Sequence, residues 1–386
     1  MVFSLAAMVV KIGLLWGLLA LLWAQVRYCP VDKGFLRLST GQSTQRVQDT
    51  GDTLWVPVVF HVVAADSSRW LPPGRLYDQL IALNRDYARV KIQFYLPSQG
   101  PQGESTCGIT WTVSPFGAGH DYSIEEDALK RLIFWPIDSF VNIWVVESMA
   151  DNTIGYARPL SDTISMPGIV LIQAVTGNRE GTQRPFDWGR TAAHEMGHVF
   201  SLLHTFQDGC VGLTPADCAL AGDEICDTPG QRNPTFGCPA PGSQNTCIDQ
   251  PTDLPDPLDN IMGYVDDSCM TRFTPLQGQR MRTYLLTVGS TLISPENHRA
   301  RGDALRNGAC EAILSLPRPE KPRPHFTILS DRIETIPGAP LSLYDATGRC
   351  LRQGYGTLST EGLPTGWYIL QLPTFGLVRR FFHSGL

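Results

Sequence analysis

No long run of basic residues occurs anywhere in this 386-residue chain, and charged side chains make up only 18% of it. With a formal net charge of −6, that scarcity argues against nucleic acid or an anionic membrane surface as the main partner. Beyond the first two dozen residues there is no second long apolar run, so no later segment reads as a membrane span. Histidine is also scarce, eight in all, yet three histidines and a glutamate fall within the eleven residues from His194 to His204. What is plentiful is apolar material, 43% of the chain, enough to bury a full core and to build more than one domain.

The one long apolar run is IGLLWGLLALLWA, thirteen residues ending at Ala24 and preceded by Lys11. Its length and flanks predict an export signal over residues 1–24, with translation starting at Met8 and cleavage after Ala24; the alternative is an uncleaved anchor. Residues 25–53 are polar and read as a pro-segment or a flexible lead-in, with a single cysteine, Cys29. Ten cysteines in an exported chain imply disulfides, and seven of them lie between Cys210 and Cys310.

From Leu54 the pattern changes. LWVPVVFHVV, KIQFYL, GITWTV, VNIWVV and PGIVLIQ have the β-branched and aromatic content of strands. LYDQLIALNRDYARV and SIEEDALKRLIFW carry apolar residues at helical spacing, and Ser123 and Glu126 are spaced as a capping box for the second. TPLQGQRMRTYLLTVG predicts a closing helix. This interleaving predicts an α/β or α+β domain over 54–314, with an irregular, disulfide-rich stretch after Thr205. A proline-spaced linker at 315–325 leads to residues 326–386, where SLYDATGRCLRQG, GWYILQL and VRRFFH predict a small β-sandwich-like module.

In TAAHEMGHVFSLLHTF, His194 and His198 are four apart and share one helix face, so both imidazoles can reach one ion. His204 lies six residues further, so the chain must turn to bring it back. Three histidines leave a fourth zinc position open for water, and Glu195 is placed as the general base. Met262 follows in DNIMGY, 58 residues after His204.

Together with VPVVFHVV, LNRDY, NIWVV, GDEICDTPGQRNPTFGCP and NIMGYVDDSCMTRFTPLQGQRMR, these motifs make the chain resemble the pappalysin-like metzincins, the M43 peptidases, over about residues 54–285. The resemblance implies a zinc metalloendopeptidase acting on proteins or peptides. It makes Met262 the Met-turn residue beneath the zinc and Tyr264 the oxyanion-stabilising partner of Glu195. It also implies calcium held by Asp223, Asp227 and Thr228, and disulfides Cys210–Cys238 and Cys247–Cys269. Cys218 and Cys226 are near enough to close their own loop, and sequence alone does not fix the connectivity. Ser201 departs from the family, which usually carries glycine there. Asp266 and Asp267, just past the Met-turn, are expected to line the pocket for an Arg or Lys beyond the scissile bond. Cys29 is either a latency ligand at the open zinc position or a disulfide cysteine paired with Cys107 or Cys350. The C-terminal module resembles the sorting domain of the type IX secretion system of Bacteroidota, which implies that machinery as a partner and passage through the periplasm to the surface; a carbohydrate- or protein-binding module is the competing reading. A non-catalytic surface-binding protein on a metzincin scaffold is the rival for the whole chain.

Overall fold

The computed structural model describes residues 49–178, 181–304 and 310, and, further on, 327–328, 332–334, 340–345, 350–355, 357–372 and 377–383. The chain divides into two compact units, 1–314 and 315–386. The expected signal peptide and Cys29 lie outside the described residues.

The first unit is organised around β1 (Leu54–Ala64). Its first four residues pair with β2 (Ile92–Tyr95), and Phe60–Ala64 pair with β3 (Ile109–Val113) along the same edge. Its other edge pairs with β4 (Val141–Val146), which is followed in space by β6 (Gly168–Ile172). All of these strands are parallel. A parallel sheet is covered on both faces, and this explains why β1 reads as a continuous apolar run rather than an alternating one.

The two faces are separable residue by residue. Val56, Val58, Phe60 and Val62 of β1, with Ile143, Val145, Ile169 and Leu171, pack under α1 (Pro73–Tyr87) and α3 (Arg190–Val199). Val63, Trp144, Val146 and Val170 face the other way, onto Leu129 of α2 (Tyr122–Leu132). α1 contributes Leu76, Leu80, Leu83 and Tyr87, a helical stripe, each fully buried side chain contributing about 1.5–3 kcal/mol. Two further helices, α4 (Pro275–Thr287) and α5 (Pro295–Arg301), close the unit. No helix among the described residues is long and apolar enough to cross a membrane.

Two local readings are corrected. Ser123 does not cap α2: it lies inside the helix, and Asp121 is the cap, accepting from the Ser123 amide at 3.0 Å. Glu126 is turned inward instead, where it takes Lys130 at 2.7 Å and a forked contact from Arg158. The sequence also gave no sign of β5 (Gly155–Arg158), a four-residue strand that runs antiparallel to β6 at the sheet edge. It is too short and too glycine-bearing to show a period. The helix α5 was missed for the same reason of length.

The second unit holds two antiparallel sheets, one of β9 (Pro340–Asp345), β10 (Cys350–Tyr355), β12 (Gly366–Leu372) and β13 (Leu377–His383), the other of β7 (Thr327–Ile328), β8 (Arg332–Glu334) and β11 (Thr357–Ser359). Ile333 and Leu358 from the smaller sheet share one apolar cluster with Leu341, Leu343, Tyr368 and Leu370 from the larger. That is a small sandwich core.

Inside the first unit, His61 of β1 is fully buried, 2.7 Å from the Thr110 hydroxyl through Nδ1 and 2.8 Å from Asn142 Oδ1 through Nε2. Asn142 in turn binds both the amide and the carbonyl of Trp135. Burial pushes the His61 pKa down to about 4, with the Asn142 bond acting weakly against it. The unfolded chain therefore binds a proton between about pH 6.5 and 4 that the folded chain does not, and stability is lost as pH falls through that window. His61→Gln should show a smaller drop in thermal midpoint between pH 7 and pH 4.5 than the parent; equal drops in both proteins would contradict this assignment.

Candidate metal and catalytic site

α3 begins without a side-chain cap of its own, since its N-cap is Gly189 in a left-handed conformation. The missing acceptor comes from a distant segment. Asp267 is fully buried, and its Oδ2 accepts from the amides of Trp188 and Arg190, each at 3.1 Å. A carboxylate there satisfies orphan amides and complements the positive end of the helix dipole. Arg190 completes the joint, donating to the Asp267 carbonyl at 2.6 Å and reaching Asp86 of α1 at 3.3 Å. Asp267 is thus committed to holding the helix, and its expected role in a substrate pocket is corrected; Asp266 is half-buried, with its amide on the Gly237 carbonyl.

The helix carries His194, Glu195 and His198, all buried. At Ser201 the backbone turns left-handed (φ 75), and the chain returns to place His204 beside the other two. Nε2 of His198 lies 3.1 Å from Nε2 of His194 and 3.1 Å from Nε2 of His204. Two of the Nδ1 atoms are already engaged: His194 donates to the Ile261 carbonyl at 2.8 Å and His198 to the Leu202 carbonyl at 2.7 Å. Those bonds fix the tautomer and leave the Nε2 lone pairs pointing at one another. Burial disfavours the charged form of two of the rings, holding His198 near 4 and His204 well below its usual value. Convergent lone pairs on neutral rings repel unless a cation lies between them, and nitrogen ligands about 2.0–2.1 Å from a tetrahedral ion stand roughly 3.3–3.4 Å apart. The donor set fits a divalent metal ion.

The floor of the site is the segment after Asn260. Met262 is fully buried, and a Cβ at Gly197 of α3 would run into its sulfur, so this glycine lets the turn press against the helix. Asn260 accepts from the Met262 amide at 2.9 Å and donates to Gln277, the N3 residue of the capping box that starts α4. Tyr264 packs on His204 and Phe206, with ring centroids 4.9 and 4.8 Å apart, and faces His194 at 5.7 Å. The side chain of Glu195 lies against β5: a Cβ at Gly155 would sit 3.2 Å from both its Cγ and Oε1. Sequence reasoning missed this edge strand and the Asp267 anchor.

Asp223, Asp227 and Thr228 are brought together in the loop beyond. Asp223 Oδ1 accepts from the Ile225 amide and Asp227 Oδ2 from the Leu276 amide at the start of α4. Asp223 Oδ2, Asp227 Oδ1 and Thr228 Oγ1 are buried without a hydrogen bond of good geometry. Burial pushes the Asp223 carboxyl up to about 7; the Ile225 amide, Thr228 and Arg280 act against this, and the Asp227 charge adds to it.

The disulfides differ from the expected pairing. Cys210 joins Cys247, and Cys238 joins Cys269, in place of Cys210–Cys238 and Cys247–Cys269. The reason is how the loop folds back: the Gln250 amide bonds the Leu213 carbonyl and lays Cys247 beside Cys210, while the Asp266 amide on Gly237 brings Cys269 to Cys238. Cys218 pairs with Cys226, and Cys107 with Cys310, which removes Cys107 as a partner for Cys29.

Residues 132–286 match the family model Peptidase_M43, described as pregnancy-associated plasma protein-A. An extracellular metalloprotease of Verticillium alfalfae is 34% identical over 261 residues, covering 65% of this chain and 80% of its own length. Extracellular metalloprotease 1 of Coccidioides posadasii is 35% identical over 236 residues, 58% of this chain and 75% of its own. Among solved structures, mature mirolysin of Tannerella forsythia in complex with a cleaved peptide has a TM-score of 0.56 at 26% identity, over 65% of this chain and 99% of that one. A mutant form of its precursor, promirolysin, has a TM-score of 0.58 at 26% identity, over 67% and 89%. Sequence and fold agree with the three-histidine centre just described, and the chain belongs to the M43 family of metallopeptidases.

Proposed function

We propose that this secreted metalloendopeptidase holds one zinc ion on His194, His198 and His204 and cleaves peptide bonds with Glu195 as its general base. The observation that carries the reading is the convergence of three Nε2 atoms, with the Nδ1 protons of His194 and His198 given to backbone carbonyls. Zinc bound there would supply Lewis acidity, lowering the pKa of a water toward neutrality and polarising the scissile carbonyl. Glu195, next to the first ligand and almost fully buried, takes the proton from the attacking water and passes it to the leaving amine. Tyr264, packed against His204, donates a hydrogen bond from its hydroxyl to the developing oxyanion and keeps its proton. β5 is an edge strand beside Glu195, so an extended peptide can add to the sheet there by backbone pairing.

Glu195→Ala should retain about one zinc per chain while hydrolysis of a peptide library falls on the order of 10²–10⁴-fold, the usual weight of a positioned proton-transfer group. Loss of zinc along with activity would make Glu195 a ligand and refute this assignment.

Calcium at Asp223, Asp227 and Thr228 is a second part of the proposal. The three hydrogen-bond-deficient oxygens are hard donors of the kind calcium takes. Adding calcium to chelator-treated, zinc-reloaded protein should raise its thermal midpoint, and the rise should vanish in Asp227→Asn. An equal rise in both proteins would place any calcium elsewhere.

For the C-terminal unit we propose a sorting role in type IX secretion, following a signal peptide that directs the chain to the periplasm. Its separate sandwich core supports removal without harm to the protease unit. Deleting residues 326–386 should leave active enzyme in the periplasm of the producing cell; release of the truncated enzyme into the medium would rule out sorting.

A further inference from the structure

Between the second and third metal-binding histidines the chain makes a sharp reversal, and its pivot is Ser201, fully buried with a left-handed backbone. The amide of Ser201 bonds the His198 carbonyl at 3.0 Å, and the next amide, Leu202, bonds the Gly197 carbonyl at 2.9 Å. The Leu202 carbonyl then accepts the Nδ1 proton of His198. The torsion at Ser201 therefore governs two things: the acceptor that orients His198, and the direction in which the chain leaves for His204.

Serine is a poor residue for that torsion, because its Cβ crowds the left-handed conformation where glycine would be free. Its side chain, however, has a partner. Arg280 of α4 donates from Nη2 to the Ser201 hydroxyl at 3.4 Å, and both terminal nitrogens of the same guanidinium reach Glu224 Oε2 at 3.0 Å. Glu224 is itself left-handed (φ 61) and neighbours Asp223. Five non-glycine residues among those described have positive φ, and one guanidinium ties two of them together across 23 residues of sequence. The Arg280 and Glu224 side chains are 13% and 24% exposed, so the ion pair is shielded enough to hold its geometry.

We propose that Ser201 is a positioning residue for the metal centre: its hydroxyl, braced by Arg280 and Glu224, locks the left-handed turn that presents His198 and His204 to zinc. The proposal rests on the zinc reading above. A brace of this kind slows loss of the ion rather than taking part in the chemistry, because no atom of Ser201 or Arg280 is a metal donor.

Glycine at this position separates the brace from the strain. If backbone strain alone mattered, Ser201→Gly would hold zinc at least as well as the parent. The brace predicts the opposite: zinc release from the full-length, zinc-loaded protein into a chromogenic chelator should be about tenfold faster in Ser201→Gly, the weight of one charge-assisted hydrogen bond. Arg280→Met should show a similar rate, and the double variant should be no faster than either single one. In zinc-free protein, hydrogen exchange at the Leu202 amide should rise in the same variants. If Arg280→Met fails to fold, Glu224→Gln replaces it with the same expectation. Parent-like zinc retention in Ser201→Gly, or multiplying effects in the double variant, would overturn the brace. A parent that binds no stoichiometric zinc would instead overturn the zinc reading on which it depends.

Discussion

Two backbone carbonyls decide this site. The Ile261 and Leu202 carbonyls take the Nδ1 protons of His194 and His198, and by doing so they choose the tautomer and aim the lone pairs. Each carbonyl belongs to an irregular segment, so the precision of the centre depends on turns rather than on the helix that carries the histidines. Much of the surrounding structure can be understood as support for those turns.

Support for Ile261 comes from below and beside it. Its amide bonds the Arg272 carbonyl, Asn260 clamps the turn through Met262 and Gln277, and Gln277 is fixed in its turn by the capping box with Thr274. The same segment continues to Asp267, which anchors the start of α3. One stretch of chain, Asn260 to Asp267, therefore meets the helix three times, at its first turn through a carboxylate, at His194 through the Ile261 carbonyl, and further along through Met262 against Gly197. The helix is held in register by contacts near both ends of its histidine-bearing face. A shift along its axis would break the amide contacts of Asp267 and the carbonyl contact of His194 together.

Behind the site lies a different kind of support. The parallel strands β1, β4 and β6 are covered on both faces, and the edge strand β5 brings Gly155 against Glu195. On the far face, Lys130 is fully buried between Glu126, the Met166 carbonyl and the rings of Trp144 and Tyr156; burial lowers its pKa to about 8. Arg158 of β5 forks onto the same glutamate. Removing one partner from such a network leaves a buried charge uncompensated, so α2 and the edge strand are bound to one another more firmly than a β-strand of four residues would otherwise be.

The sequence by itself determined the three-histidine cluster and the outline of the sheet. Helical spacing forces His194 and His198 onto one face, six further residues demand a turn before His204, and β-branched runs of strand length leave few alternatives to β1, β4 and β6. These signals are local, carried by periodicities of two and 3.6 residues that survive without knowledge of the fold. What the tertiary structure decided is everything that depends on two distant segments meeting. Asp267 looks from its neighbours like a pocket residue, and only its position against the first turn of α3 makes it a cap. Cys210 pairs with Cys247 because a loop of Gly, Pro and Asp folds back on itself, and no spacing rule anticipates which cysteine that brings near. Ser201 departs from the expected glycine in sequence, but the arginine that meets it is 79 positions away and reaches it only once α4 is packed. Short-range patterns are written in the chain, whereas pairings across long loops are set by the packing free energy of the whole domain, which no single segment contains.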